Sequence, residues 1–215
     1  MNKWIDKKAF QKLIKEGQSI MVGGFLTCGT PELLIDYIVE TNIGNLTIIC
    51  NDAGYPNKGV GKLIANHQVK KLIATHIGTN PDAGKLMSEG SLEVELIPQG
   101  TFIEQIRAKG GGLGGILTPT GLHTPVEIGK QKITIDGKEY IVAEAFGADL
   151  AIINGYYSDH LGNLTYSGTA RNFNPMMATA ADKVVALIHE EVENIDPEHV
   201  ITPHVFVDFI LGGAI

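Results

Sequence analysis

The sequence predicts an α/β fold, a mostly parallel sheet with helices on both faces, with a small antiparallel β excursion near 121–142. Three observations predict it. Short, largely apolar runs recur along the chain, as expected of strands covered on both faces. Segments with helical capacity alternate with them, the pattern of a parallel α/β sheet. Between Lys132–Ile135 and Glu139–Val142 stands Asp136-Gly137, a strong two-residue hairpin signal.

The elements follow in order. Phe10, Leu13 and Ile14 fall at i, i+3 and i+4, so 7–16 reads as a helix with one buried stripe, closed by Gly17. Ser19–Val22 is a short strand ending in glycines. Thr30 is placed to cap a helix that has Pro31 at its first position and runs to about Thr41. Strands are expected at Leu46–Cys50, Val69–Ala74 and Val94–Ile97, with helices near 59–66, 81–88 and 99–109. After the antiparallel excursion the pattern resumes with a strand from Leu150 to Ile153, a helix near 174–181 and a strand from Lys183 to Ile188. No internal repeat or linker is visible. A chain of 215 residues is expected to form one domain over 1–215.

Composition excludes several function classes. A formal charge of −7 without a basic run argues against a general nucleic-acid binder. Two cysteines, Cys28 and Cys50, make no disulfide framework, and a reducing, cytoplasmic setting is the economical reading. The N-terminus mixes both charge signs before any apolar run, so no signal peptide is expected. No stretch approaches the roughly 20 apolar residues of a membrane span.

The run Gly23-Gly24-Phe25-Leu26-Thr27-Cys28-Gly29 joins a buried strand to a capped helix. Its backbone N–H groups can converge on an anion beside the helix dipole. The same glycines equally suit a tight strand-to-helix connection with no ligand. Thr30-Pro31 stands where a P-loop has Lys-Ser/Thr, and G-x-G-x-x-G is absent, so the ATP and NAD readings lose their support.

The pattern Gly23-Gly24-Phe25-x-x-x-Gly29-x-Pro31 resembles the signature of the first subunit of family I CoA transferases. Five further blocks resemble that family in order: 77–81, 98–101, 117–121, 162–164 and 170–175. The resemblance covers nearly the whole chain. It implies a hetero-oligomer with a β subunit, acyl-CoA as substrate without a permanently bound cofactor, and transfer among short-chain acids such as acetoacetate, acetate and butyrate. It places Gly23 to Gly29 at the coenzyme A site and Gln99 in the acyl pocket. The nucleophile it implies is a glutamate of a Ser-Glu-Asn-Gly motif in the β subunit, forming a glutamyl-CoA thioester.

Within this chain no glutamate is marked as that nucleophile. Ser88-Glu89-Gly90 lacks the Asn and reads as an exposed loop; Glu32 suits a helix N-terminus; Glu93 and Glu95 straddle a strand. The chain alone is therefore expected to be catalytically incomplete. Gln99, expected at a strand end before Gly100, can donate to an oxyanion or a substrate carboxylate. Cys28 reads as a small apolar filler more than as a thiolate, since no base adjoins it. Arg171 can hold a carboxylate, bridge to the partner, or form a structural salt bridge. The 110–115 glycines allow a mobile lid or close backbone approach, with flexible packing at the subunit seam as the default. His123 sits in a loop, and the other histidines show no metal-ligand spacing. Two alternatives stand beside the transferase reading: a self-sufficient sugar-phosphate isomerase-like enzyme, and a non-catalytic acyl-CoA-sensing module.

Overall fold

A computed structural model describes residues 3–212. Seven strands make a wholly parallel sheet in the order β10-β9-β8-β1-β2-β3-β4, and three more make an antiparallel sheet in the order β5-β7-β6. The first four strands are β1 (Ser19–Val22), β2 (Leu46–Cys50), β3 (Val69–Ala74) and β4 (Glu93–Leu96), stepping outward from the centre. Then β8 (Leu150–Ser158) returns to the other side of β1, followed outward by β9 (Val184–Glu191) and β10 (Phe209–Gly212).

Alternation along the central strands sends side chains to two cores. Ile20, Val22, Ile48, Ile152 and Val185 join one, packed under helices α1 (Lys7–Gln11), α2 (Glu32–Thr41), α3 (Gly61–Ala65) and α4 (Pro81–Ser88). Met21, Ile49, Ile153 and Ala186 join the other, under α5 (Gln99–Gly110) and α6 (Asn174–Ala178). Helices thus cover both faces, which is why these strands read as continuous apolar runs.

Some boundaries differ from expectation. Helix α1 ends at Gln11, and its tail to Ile14 tightens into i→i+3 turns, Leu13 to Phe10 and Ile14 to Gln11. Phe10 and Ile14 are buried all the same. Helix α2 begins at Glu32, with Pro31 in the cap position and no side-chain cap bond. Thr30 does not cap because its hydroxyl is turned against Gly24, where an added Cβ would lie 2.1 Å from Oγ1. Helix α6 stops at Ala178.

The antiparallel excursion begins before residue 121. Strand β5 (Gly115–Thr118) pairs with β7 (Lys138–Glu144), which pairs with β6 (Lys132–Ile135) through the Asp136-Gly137 turn, both residues at positive φ (49° and 73°). Gly115 has the close-approach role: a Cβ there would meet the Ala143 carbonyl at 2.6 Å. None of the described helices is long and apolar enough to cross a membrane.

Candidate functional site

Sheet order fixes where a ligand belongs. Connections run one way from β1 to β4 and the other way from β8 to β10, so the sheet's switch point lies between β1 and β8. In open α/β sheets ligands occupy the crevice beyond the carboxyl ends of the strands at such a point. The Gly23–Gly29 turn leaves β1 there, and Gly23 N–H donates to Ile152 O of β8 at 3.0 Å.

The turn closes on itself. Phe25 N–H donates to Cys28 O at 3.0 Å and Cys28 N–H to Phe25 O at 2.9 Å. Between them Leu26 and Thr27 both adopt left-handed backbone, φ 47° and 66°. For a β-branched residue such as Thr27 this is a genuine outlier, and strain of this kind, of order 1–3 kcal/mol per residue, persists only where surroundings enforce it. Leu26 N–H is taken by the Asp52 carboxylate at 2.8 Å. Of the N–H groups of the turn, those of Gly24, Thr27 and Gly29 are left without an acceptor among the described residues.

Asn51 and Asp52, directly after β2, form the floor. Both are buried. Asp52 Oδ2 accepts from Leu26 N–H and from Asn51 Nδ2 at 2.9 Å, while Oδ1 accepts from Gly54 N–H at 2.9 Å. Asn51 Oδ1 accepts from Gln99 Nε2 at 2.7 Å. Gln99 is the first residue of α5, one step beyond the strand-end loop expected for it. It still reaches the turn through Asn51 and Asp52. Asn51 and Asp52, with Gly24, Thr27, Gly54 and Gly59, line a crevice of about 10 Å³, room for about one water, while Gln99 stands outside it.

Asn174 closes the turn from outside. It is fully buried, donates through Nδ2 to Gly29 O (3.0 Å) and Ala170 O (2.8 Å), and accepts Asn154 N–H on Oδ1 at 3.0 Å. A Cβ on Gly23 would fall 1.8 Å from that Oδ1, and one on Gly29 would fall 2.5 Å from Ala170 O. Gly23 is thus required for packing alone, and Gly29 for packing as well as for its positive φ of 69°. The close approaches meet the expectation of a tight strand-to-helix connection.

Cys28 corrects its expectation. It is exposed, its Sγ 3.3 Å from Thr169 Oγ1, because the left-handed pair before it turns the side chain outward. The buried thiol is Cys50, donating to Asp52 O at 3.0 Å; burial, then the Asp52 charge, pushes its pKa well up. Arg171 lies in the 3-10 turn that Asn174 holds and forms no ion pair with any described residue, so the structural salt bridge is not made.

The other carboxylates lie elsewhere. Glu89 caps the C-terminus of α4, exposed, 4.0 Å from Lys85. Glu93 and Glu95 flank Lys71 at 3.0 Å each. Glu32, in the first turn of α2, accepts Gly59 N–H at 2.9 Å and pairs with Lys62 at 2.8 Å. Partial burial opposes the Lys62 charge, but the hydrogen bonds it donates to Asp36 and Glu32 outweigh it and raise its pKa. His123 is exposed in its loop at φ 61°, its N–H given to Glu127. Among the described residues no group of three His, Cys, Asp or Glu is placed to hold a metal ion.

Asn51 and Asp52 carry no sequence motif, and Asn174, though inside the 170–175 block, has no role legible from the sequence. The strand-end argument applied to Gln99 holds equally for Asn51-Asp52 after Cys50, and Asn174 lay three positions from the Arg171 that drew attention.

A family model described as Coenzyme A transferase matches residues 6–213. The chain is 53% identical over 203 residues to the acetoacetyl-CoA:acetate/butyrate CoA transferase alpha subunit of Clostridium acetobutylicum, covering 94% of this chain and 93% of that one. It is 49% identical over 199 residues to the acetate CoA-transferase subunit alpha of Escherichia coli K12, covering 92% and 90%. Among solved structures it resembles an acyl-CoA transferase of Escherichia coli O157:H7 in a thioester complex with CoA, with TM-score 0.86 at 20% identity. That likeness takes in 99% of this chain and 47% of the other, so this chain spans about half of that polypeptide. Glutaconate coenzyme A-transferase of Acidaminococcus fermentans is similar too, with TM-score 0.84 at 20% identity over 97% of this chain and 74% of that one. At 20% identity these two structures speak for the fold alone.

Proposed function

Since this chain belongs to the coenzyme A transferase family, we propose that it is the α subunit of a short-chain acyl-CoA:carboxylate CoA-transferase, exchanging CoA between acetoacetate and acetate or butyrate together with a β subunit. The β subunit supplies the nucleophilic glutamate. Its carboxylate attacks the thioester carbonyl, releasing CoA thiolate and leaving an acyl-glutamyl anhydride; the thiolate then attacks the glutamyl carbonyl, freeing the first acid. A second carboxylate runs the sequence in reverse.

In this reading Gly23 to Gly29 borders the acyl-CoA. The unpartnered N–H groups of Gly24, Thr27 and Gly29 supply oxyanion or phosphate contacts, and Gln99 lines the acyl pocket. The observation that carries it is a switch-point crevice with free backbone donors and no free carboxylate. Asp52, the acid at its floor, has both oxygens committed to N–H donors. A crevice of about 10 Å³ holds no acyl chain unaided, which supports a site shared with a second chain. The same observation counts against a self-sufficient isomerase, which needs a carboxylate free to act as base. Both cysteines are free, in keeping with a reducing, cytoplasmic setting.

The test is to purify this chain, its β subunit and the mixture, and to follow CoA transfer from acetoacetyl-CoA to acetate, butyrate and succinate. Only the mixture is expected to turn over. Full-rate transfer by this chain alone refutes the split site; pentose-phosphate isomerisation without CoA supports the rival. Acyl-CoA binding without exchange in the mixture marks the sensing module.

A further inference from the structure

A second turn matches the first. Gly54-Tyr55-Pro56-Asn57-Lys58-Gly59 leaves β2 as Gly24-Phe25-Leu26-Thr27-Cys28-Gly29 leaves β1. Each puts an aromatic residue after its first glycine, and Phe25 and Tyr55 are each 37% exposed. Tyr55 and Lys58 exchange the same pair of backbone hydrogen bonds, at 3.3 and 3.0 Å, as Phe25 and Cys28. The bracketing glycines, 24 and 29, 54 and 59, all have positive φ. The two turns stand over neighbouring parallel strands and line opposite sides of one crevice.

Their chemistry differs at the tips. Pro56-Asn57 suits a turn with positive φ at its third position, and Asn57 alone supplies it, at 59°. Leu26-Thr27 bears two left-handed residues, neither suited to that backbone. Something outside the first turn must hold it.

We infer that Asp52 is the positioning residue of the CoA-transfer site, locking the strained Gly23–Gly29 turn to the Gly54–Gly59 turn so that the two present one rigid face to the acyl-CoA. The inference rests on the transferase reading above. Asp52 is buried, and its carboxylate, an acceptor at every lone pair, meets three donors: Leu26 N–H in the first turn, Gly54 N–H in the second and Asn51 Nδ2 between them. Through Asn51 the same carboxylate fixes the partner of Gln99. One side chain thus sets both turns and the side chain assigned to the acyl pocket. An amide at position 52 can satisfy one turn but turns its NH₂ toward the N–H of the other. Since the N–H groups of Gly24, Thr27 and Gly29 follow the turn's placement, a shift of this kind weakens transition-state contacts more than ground-state binding.

The test uses the assembled complex with Asp52→Asn, Asp52→Ala and Tyr55→Ala, measuring kcat, KM for acyl-CoA, and amide hydrogen exchange across 23–29 and 53–60. Asp52→Ala is expected to speed exchange in both turns and to lower kcat about 10- to 100-fold with KM little changed. Asp52→Asn falls between it and the wild type and carries the test should the alanine variant not assemble. Tyr55→Ala raises KM about two- to tenfold at near-constant kcat, as loss of one aromatic contact does. A merely structural Asp52 predicts a less stable complex with unaltered kcat, and that result overturns the inference. So does exchange unchanged in the second turn. A wild-type complex that transfers no CoA sinks the transferase reading instead.

Discussion

Replacing Gly23 by Ala tests the packing of the site at one atom. Its φ lies outside the left-handed range, so the requirement is steric alone. An added Cβ would sit 1.8 Å from Asn174 Oδ1 and 2.7 Å from its Cγ, contacts that no real structure keeps. Asn174 is fully buried and must move, giving up its bonds to Gly29 O, Ala170 O and Asn154 N–H. At about 1 kcal/mol net for each, the loss is about 3 kcal/mol. For a chain of this size that lowers Tm by about 6 to 12 °C. Thermal unfolding by circular dichroism reads it, and CoA transfer by the complex should fall in parallel. Gly84→Ala is the control: it sits within α4 with nothing near its Cβ position, and should gain about 0.5–1 kcal/mol. In an Asn174→Ala background the obstacle is gone, and Gly23→Ala should cost well under ~1 kcal/mol. A Gly23→Ala chain with wild-type Tm, or strictly additive costs in the cycle, refutes the reasoning.

Gln99→Ala, which removes a donor to Asn51 without touching the core, is expected to lower turnover about tenfold at unchanged Tm; full activity removes Gln99 from the site. Cys28 should be alkylated by iodoacetamide in the folded chain while Cys50 stays protected until unfolding, as mass spectrometry of peptides reads out; labelling of both at equal rates contradicts the burial. Asp159 accepts N–H groups of Leu161, Gly162 and Asn163 and the Asn163 amide. Burial pushes its pKa up, but the Asn163, Gly162 and Leu161 hydrogen bonds outweigh it, so the folded value is depressed. Its contribution is therefore complete above the ordinary aspartate value of 3.8 and is lost as pH falls through the depressed one. Asp159→Asn should cost about 1–3 kcal/mol at neutral pH and flatten the acid limb of stability measured by denaturant titration; an unaltered limb counts against it.

Most of the central sheet was legible because its strands are buried on both faces and spell themselves as apolar runs. The hairpin was legible from Asp136-Gly137 alone. Strand β5 was not, since Gly115-Ile116-Leu117-Thr118 is too short to show a period, and β10 owes its place to pairing with β9, a long-range fact. At the site, the glycines were readable and their donors were not. Leu26 N–H looked available to a ligand because its acceptor, Asp52, is 26 positions away. The matching turn at 54–59 went unseen because only its glycines and aromatic recur, while Pro56-Asn57 replaces Leu26-Thr27. Cys28 was misjudged for a related reason: composition favours buried thiols, but a left-handed pair turned this one out.

The Asn174 bond to Gly29 joins positions 145 apart, and Asn172 reaches Cys28 across 144. The turn beside β1 is thus finished by some of the latest-made parts of the chain. Closing loops of that length is slow and yields little until the intervening sheet exists. A chain still emerging from the ribosome holds the glycines without their brace, so the turn reaches its final shape only once residues 172–174 have been made and packed. Loss of protection at the Asn154 N–H, which Asn174 Oδ1 accepts, would correspondingly report global unfolding rather than local fraying.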